Sequence, residues 1–395
     1  MTKQKSKKKA EKKKKLSKVS SSPKIFKGLA GVLADTTSVS KVMPETNSLT
    51  YRGYAVQDLS AHCSFEEVAY LILNGELPNS SQLRTFKKTE RSLRELTRNH
   101  RNIIQAFPRR AHPMDTIRTA VSYLGTTEVA WGGESRENDL NRAINLLAKI
   151  PTMIATDFRT RQGKRRIAPR KDLSISENFF YMCFGNIPPR KVIKAFDVSL
   201  ILYAEHSFNA STFAGRVITS TRSDIYSAVC GAIGALKGPL HGGANEAVMA
   251  MMKKIAHPEK AEEWLRNAFV KKDLIMGFGH RVYKQGDSRV PTMKKSLEDL
   301  TEWSGDSRWL GIYEVMENIM VNEKNIYPNL DFPSGPAYYL MRFPINLYTP
   351  IFVMARITGW SAHYFEQNSN NSLIRPLSEY TGRSQRKVKP LTRRK

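Results

Sequence analysis

Along most of this chain the apolar residues fall three and four positions apart, the spacing that lines one face of an α-helix. The plainest case is Ile117, Ala120, Val121 and Leu124, at i, i+3, i+4 and i+7, with Asp115 read as the cap that starts the helix and Gly125 as its stop. Phe65 to Leu73 follows Ser64, a natural N-cap, and the same reading fits Ile193 to Glu205, Ser223 to Leu236, Ala244 to Ile255, Ala261 to Val270 and Pro350 to Glu366. Val, Thr and Tyr gather only in Leu29 to Val42 and Ser48 to Val56, which predicts a minor N-terminal β element. Asp157 to Asp172 is basic, holds Gly163 and Pro169 and lacks a period, so it reads as an exposed loop. No Asn-Gly or Asp-Gly hairpin with alternating flanks appears, nor any repeat of about 20–50 residues. The expected fold class is all-α.

At 395 residues the chain is longer than one hydrophobic core usually grows, so two domains are expected. An apolar fraction of 41% and a charged fraction of 25% are those of a globular body, which excludes a wholly disordered chain. The net charge of +27 sits mostly at the ends. Residues 1–28 hold twelve lysines against one glutamate, and residues 383–395 hold seven Lys or Arg and no acid, which leaves +9 for everything between. Those ends have no apolar period and read as disordered, solvated arms, with nonspecific, salt-sensitive contact to polyanions. Three cysteines, Cys63, Cys183 and Cys230, without a Cys-x-x-Cys pair, fit a reducing compartment. The lysine-rich start lacks the apolar stretch of a secretory signal, and the apolar run Ile345 to Trp360 is broken by Pro350 and Arg356. A cytoplasmic protein with no membrane span is expected.

Three short segments set two histidines and an aspartate in glycine-rich settings: Gly238-Pro239-Leu240-His241-Gly242-Gly243, Gly277-Phe278-Gly279-His280-Arg281-Val282-Tyr283 and Leu330-Asp331-Phe332-Pro333-Ser334-Gly335. Two imidazoles and a carboxylate supply a base and two proton donors, the set that enolises a carbon acid and joins it to a ketone. Glycines beside His241 and His280 let backbone and substrate approach closely. His241 also precedes the helix expected from Ala244, where the positive helix end favours a neutral ring able to stabilise an enolate oxygen. Asp331 stands beside Leu330, Phe332 and Pro333, and partial desolvation there raises its basicity. Each has a plainer competing reading: turn histidines with structural glycines, and a loop or N-cap aspartate. His62, His100, His112, His257 and His363 lack such settings and are read as surface or core-satisfied side chains.

These words stand in order with Glu45 to Tyr54, His112 to Asp115, Glu205 to Thr212, Lys237 to Glu246, Gly277 to Arg289, Asn329 to Leu340, Phe352 to Trp360 and Arg375 to Ser378. On that ordered set the chain resembles the citrate synthase family over about residues 28–382, and most closely its 2-methylcitrate synthase branch. The resemblance implies a citrate-synthase-like helical homodimer. It divides the chain into a basic tail 1–27, a large domain 28–241, a small domain 242–340 that closes over the active site, a return segment 341–382 and a basic tail 383–395. Gly238, Gly242, Gly243, Gly277 and Gly279 are then candidate hinges.

The resemblance further implies that Asp331 removes the α-proton of an acyl-CoA while His241 hydrogen-bonds the thioester oxygen, and that His280 protonates the keto oxygen of oxaloacetate. His206, Arg289, Arg356 and Arg375 correspond to oxaloacetate contacts, Arg375 reaching the site of the partner subunit. Guanidinium forks suit two carboxylates, and Arg356, interrupting an apolar helix, is costly unless paired. Leu274, Ile275, Met276, Gly277 and Phe278 correspond to the lining of the CoA site, where Lys284 either meets a phosphate or is an ordinary solvated lysine. Arg342 departs from the pattern, since related chains usually have a small residue there. No cofactor and no metal is expected; the coenzyme A thioester is a substrate.

The expected reaction is a Claisen-type condensation followed by thioester hydrolysis, with propionyl-CoA, oxaloacetate and water as reactants and acetyl-CoA as the alternative acyl donor. One methylene in an apolar pocket separates the two donors by only about 1–3 kcal/mol, so nearness to the methylcitrate branch decides the choice. A reading of another class makes the body a non-catalytic scaffold whose basic tails bind polyanions. The intact set of Asp331, His241, His280 and the arginines argues against it, because nothing structural demands that whole set.

Overall fold

The computed structural model describes residues 25–127, 135–280, 282, 283 and 285–394, so most of the basic N-terminal tail, and with it the disorder expected there, lies outside the described residues. The chain falls into two units, residues 1–36 and 37–395. The described part of the first, residues 25–36, is exposed throughout and carries one 3-10 turn, Lys27–Leu29.

The second unit opens with an antiparallel sheet of β1 (Ser40–Met43), β2 (Ser48–Tyr51) and β3 (Tyr54–Ala55), in that order. The expected β element is present but shorter, because residues before Ser40 form no strand. Its role lies in Tyr51, whose buried hydroxyl donates to the carbonyls of Ile201 and Glu205, both at 3.0 Å. The sheet thereby pins the end of the helix Arg190–Tyr203 and the turn after it.

Helices make nearly all the rest. Two of them are central: Arg136–Arg161, buried without a break from Ala143 to Phe158, and Tyr348–Ser369, buried from Tyr348 to Phe365. A helix enclosed on every side belongs in a core, and these two pack on each other. Phe65–Asn74, Ser80–Leu93, Pro113–Thr127, Ile175–Phe184, Arg190–Tyr203, Ala210–Ser220 and Ile225–Leu236 pack around one or both. Ala244–Ile255, Ala261–Lys271, Val290–Ser304, Arg308–Lys324 and Asp331–Leu340 pack among themselves, and Val290–Ser304 also lies on Arg190–Tyr203. Among the described residues no helix is long and apolar enough to cross a membrane.

Two local expectations are corrected. Pro113–Thr127 begins before Asp115 and runs through Gly125. Pro113 suits the first helical position, and Asp115 is held by Lys237 Nζ at 2.7 Å instead of capping. Gly125 is there for close approach: a Cβ would lie 2.9 Å from Tyr226 Cβ on the neighbouring helix. The expected loop at 157–172 starts only after Arg161, because buried Asp157 accepts from Arg161 Nε at 2.7 Å one helical turn on and keeps that turn in the helix.

Two helix pairs also share one plan that the sequence reading missed. Ser64 and Glu67, and again Ser174 and Glu177, form capping boxes, and the helices they open close on Gly75 and Gly185 in left-handed conformation. Tyr70 meets Phe86 edge-on at 5.6 Å, as Phe180 meets Phe196 at 5.2 Å. The two pairs cap each other. The Asp197 carboxylate accepts from Phe65 N at 2.9 Å, and the Glu66 carboxylate accepts from Ile175 N at 3.0 Å.

Candidate active site

The His280 loop is tied to the segment that enters the helix Asp331–Leu340. Gly279 N donates to Tyr327 O at 2.8 Å, Asn329 N to Gly277 O at 2.9 Å and Asn329 Nδ2 to Gly279 O at 3.0 Å. Gly277 makes this possible: its φ is +84°, and a Cβ would lie 2.7 Å from Val248 and 2.9 Å from Phe332. Asp331 starts its helix, and its Oδ1 accepts from Tyr203 Oη at 2.7 Å. Burial pushes the Asp331 carboxyl up to about 6, outweighing the Tyr203 hydrogen bond and the Arg289 charge that favour ionisation. The side chain keeps partial access to solvent.

His241 lies in the turn before Ala244–Ile255, as expected. Its Nε2 meets Ser211 Oγ at 2.9 Å, Asn209 Oδ1 at 3.2 Å and Ser211 N at 3.3 Å. The Ser211 N–H can only donate, and Asn209 Oδ1 takes its hydrogens from Ser211 Oγ at 2.7 Å and Thr212 N at 3.1 Å, so Nε2 is read as the acceptor of the Ser211 N–H and the ring proton is placed on Nδ1. Burial, then the Arg356 charge, holds the imidazole down to about 3, so the ring is neutral as anticipated, though the cause differs from the helix end first invoked. At His280, Nδ1 accepts from the backbone N–H groups of Val282 and Tyr283, both at 3.1 Å, which assigns that ring's proton to Nε2. His206 is buried with its ring 5.2 Å from that of His280, and its Nε2 has no hydrogen-bond partner. Burial and the Arg289 charge hold His206 well below the usual histidine range.

Both expected core arginines are buried. Arg289 forks onto Asp287, Nε to Oδ1 at 2.9 Å and Nη2 to Oδ2 at 2.6 Å, and Asp287 Oδ2 also accepts from Leu330 N at 3.2 Å. Arg289 is thereby fastened to the residue before Asp331. Burial opposes the charge on Asp287, but the adjacent guanidinium holds that carboxyl below the ordinary range. Arg356 donates from Nε to Tyr203 O at 2.7 Å, while its Nη1 is buried with no acceptor. Burial brings Arg356 down to about 10, against the Glu205 charge. Tyr203 therefore holds the carboxylate of Asp331 with its hydroxyl and the guanidinium of Arg356 with its carbonyl.

The other expected site residues are less gathered. Arg375 is exposed in the coil after Tyr348–Ser369. Ile275 is buried, Met276 and Phe278 pack partly on the core with the Phe278 ring 4.3 Å from Phe332, and Leu274 is 70% exposed. Lys284 lies outside the described residues. Arg342 has φ +67°, a conformation only glycine takes freely, which fits the small residue that the resemblance leads one to expect there. Sequence reasoning missed Tyr203, Asp287, Asn209 and Ser211. Asp287 stood inside the quoted Gly277 to Arg289 word, and Asn209 and Ser211 inside Glu205 to Thr212, but Tyr203 carried no signal beyond helical spacing. Among the described residues no group of three His, Cys, Asp or Glu is arranged to hold a metal ion.

A helical fold that holds a buried carboxylate, imidazoles and two buried arginines in linked segments fits a carbon–carbon bond-forming acyltransferase, and the chain belongs to the citrate synthase family: the family's description "Citrate synthase, C-terminal domain" matches residues 28–377. Its relatives carry two names. It is 56% identical over 369 residues to the citrate synthase of Mycolicibacterium smegmatis, covering 93% of this chain and 98% of that one. It is equally 56% identical over 364 residues to the 2-methylcitrate synthase of Mycobacterium tuberculosis H37Rv, covering 92% of each. Among solved structures, citrate synthase of Thermoplasma acidophilum, in ternary complex with carboxymethyl coenzyme A and oxaloacetate, superposes with a TM-score of 0.89 at 34% identity over 94% of this chain and 100% of that one. The chain is thus an enzyme of this family, and the non-catalytic scaffold reading falls.

Proposed function

We propose that this enzyme condenses propionyl-CoA with oxaloacetate and hydrolyses the thioester, giving 2-methylcitrate and free coenzyme A. Asp331 takes the α-proton of the acyl group, and the electron pair moves onto the thioester oxygen, where the His241 Nδ1–H donates a hydrogen bond. The enol carbon then attacks the keto carbon of oxaloacetate, and the His280 Nε2–H delivers its proton to the keto oxygen. Water cleaves the C–S bond, its hydroxyl staying on the acyl carbon and its proton leaving with coenzyme A as the thiol, and the proton taken by Asp331 is passed back to the His280 ring to reset the site. No group beyond side chains, water and the two substrates takes part.

The observation that carries this reading is Tyr203, which joins Asp331 to Arg356 although the three come from separate helices. Arg356 Nη1 and His206 Nε2, buried without partners, are then met by the oxaloacetate carboxylates, with Arg289. Arg375 of a second subunit completes that pocket in a homodimer, and residues 274–278 with Lys284 take the CoA. Closure of the small domain 242–340 excludes water from the enol. The enzyme works in the cytoplasm.

Thiol release, measured with oxaloacetate and either acyl-CoA side by side, tests the proposal. Release is expected to need oxaloacetate and to show the higher kcat/KM with propionyl-CoA. A clear preference for acetyl-CoA overturns the choice of donor, and release without oxaloacetate overturns the condensation.

A further inference from the structure

The helix Tyr348–Ser369 presents Arg356, Gly359 and His363 along one face, at i, i+3 and i+7, and Glu205 is laid against that face. A Cβ on Gly359 would lie 2.1 Å from Glu205 Oε2 and 2.6 Å from Ala204 O, so the bare glycine is what admits the turn at 204–206. Glu205 is fully buried. Its Oε1 accepts from His363 Nε2 and from Ser40 Oγ, both at 2.9 Å, while Oε2 has no donor. His363 is held in turn: Arg216 Nη1 lies 3.1 Å from its Nδ1 and donates to Glu366 Oε2 at 2.8 Å, and Glu366 Oε1 accepts from Ser38 N at 2.6 Å.

This network grips His206 from both sides. Ser40 Oγ, which donates to Glu205, also accepts from Ser207 N at 2.9 Å, and Tyr51 Oη donates to Glu205 O. Ser207 is forced to φ +52°, a conformation that persists only where the surroundings over-determine it. The hydrogen bonds of Glu205, His363 and Ser40 run to one another and to the backbone beside His206, and Glu205 also acts on Arg356 through its charge and the shared helix face.

We infer that Glu205, His363 and Ser40 form a buried brace that positions His206 and Arg356 to receive the dicarboxylate, so that oxaloacetate affinity depends on a histidine outside the substrate pocket. The inference rests on the oxaloacetate reading of that pocket. His363→Leu removes the donor to Glu205, His363→Gln can still donate to Glu205 and accept from Arg216, and Ser40→Ala removes only the bridging hydroxyl.

Calorimetric titration of the full chain with oxaloacetate, and thiol release at saturating acyl-CoA, are read beside the melting temperature. For His363→Leu the expected result is an oxaloacetate KM and Kd raised about tenfold or more with kcat changed by less than about threefold, the split that marks lost binding. His363→Gln is expected to recover most of that loss, and Ser40→Ala to show a smaller rise in the same constants with the fold intact. A folded His363→Leu or Ser40→Ala protein that binds oxaloacetate like the parent overturns the brace, as does a loss confined to kcat. Should His363→Leu not fold, Ser40→Ala and His363→Gln decide by the same constants. Failure of the parent chain to bind oxaloacetate at all overturns the pocket reading, which is a different result.

Discussion

Replacing Tyr203 with phenylalanine removes one hydroxyl and leaves the ring packed on Phe352, whose centroid is 4.2 Å away. That hydroxyl donates to Asp331 Oδ1 at 2.7 Å, a bond made to the charged form of the carboxylate and therefore one that lowers its pKa. A hydrogen bond to an ionised group is worth about 1.5–3 kcal/mol, equivalent to about one to two pH units. Asp331 lies at about 6 with the bond in place, so its loss carries the carboxyl above neutrality. With a pKa near ~7.5 only about a quarter of the base is ionised at pH 7, against about nine-tenths in the parent. The acid limb of kcat/KM for the acyl-CoA, followed by thiol release from pH 5 to 9, is expected to move up by at least about one unit, with much of the lost rate returning near pH 9. Any remaining deficit at high pH measures how far the hydroxyl also orients the carboxylate. An acid limb that stays where it was, with or without a uniform fall in rate, refutes the assignment of Asp331 as the base that Tyr203 tunes.

Two further outcomes concern stability. Arg342→Gly relieves a left-handed residue that costs an L side chain about 1–2 kcal/mol, part of which returns as greater freedom in the unfolded chain. A net gain of up to about 1 kcal/mol is expected in denaturant titration, and a loss of stability would show that the arginine side chain compensates its backbone. Asp197 is pushed up to about 7 by burial and then by nearby Glu66, so between its unfolded value of 3.8 and about 7 the native state binds more protons than the unfolded chain. Stability therefore falls as pH rises through that window. Asp197→Asn is expected to flatten the melting temperature against pH from 5 to 8, and an unchanged slope would place the titration elsewhere.

What the sequence disclosed follows from the range of the interactions involved. Helices with a local signal were legible: Ser64 caps at the expected place, and Ala244–Ile255 has the expected ends. The errors came where a distant residue overruled a local rule. Gly125 has the chemistry of a helix stop, yet Tyr226 on another helix is what requires it. Asp115 has the chemistry of a cap, yet its carboxylate is taken by Lys237, at the start of the word that holds His241, so two of the quoted words are joined by packing and not by catalysis.

The same distinction separates the site residues that were legible from those that were not. His241 and His280 stand out because the glycines beside them let a backbone come close, and Asp331 because apolar Leu330, Phe332 and Pro333 flank it. Tyr203 and His363 act through partners far off in sequence, Asp331 and Glu205, and their own neighbours are ordinary helix residues. A chain read one residue at a time therefore reveals the groups proposed to meet substrate before the groups that hold them. Tyr203 shows why the second set matters: with its bond the Asp331 carboxylate, the proposed base, is mostly ionised at neutral pH, and without that bond the same group is expected to be mostly protonated.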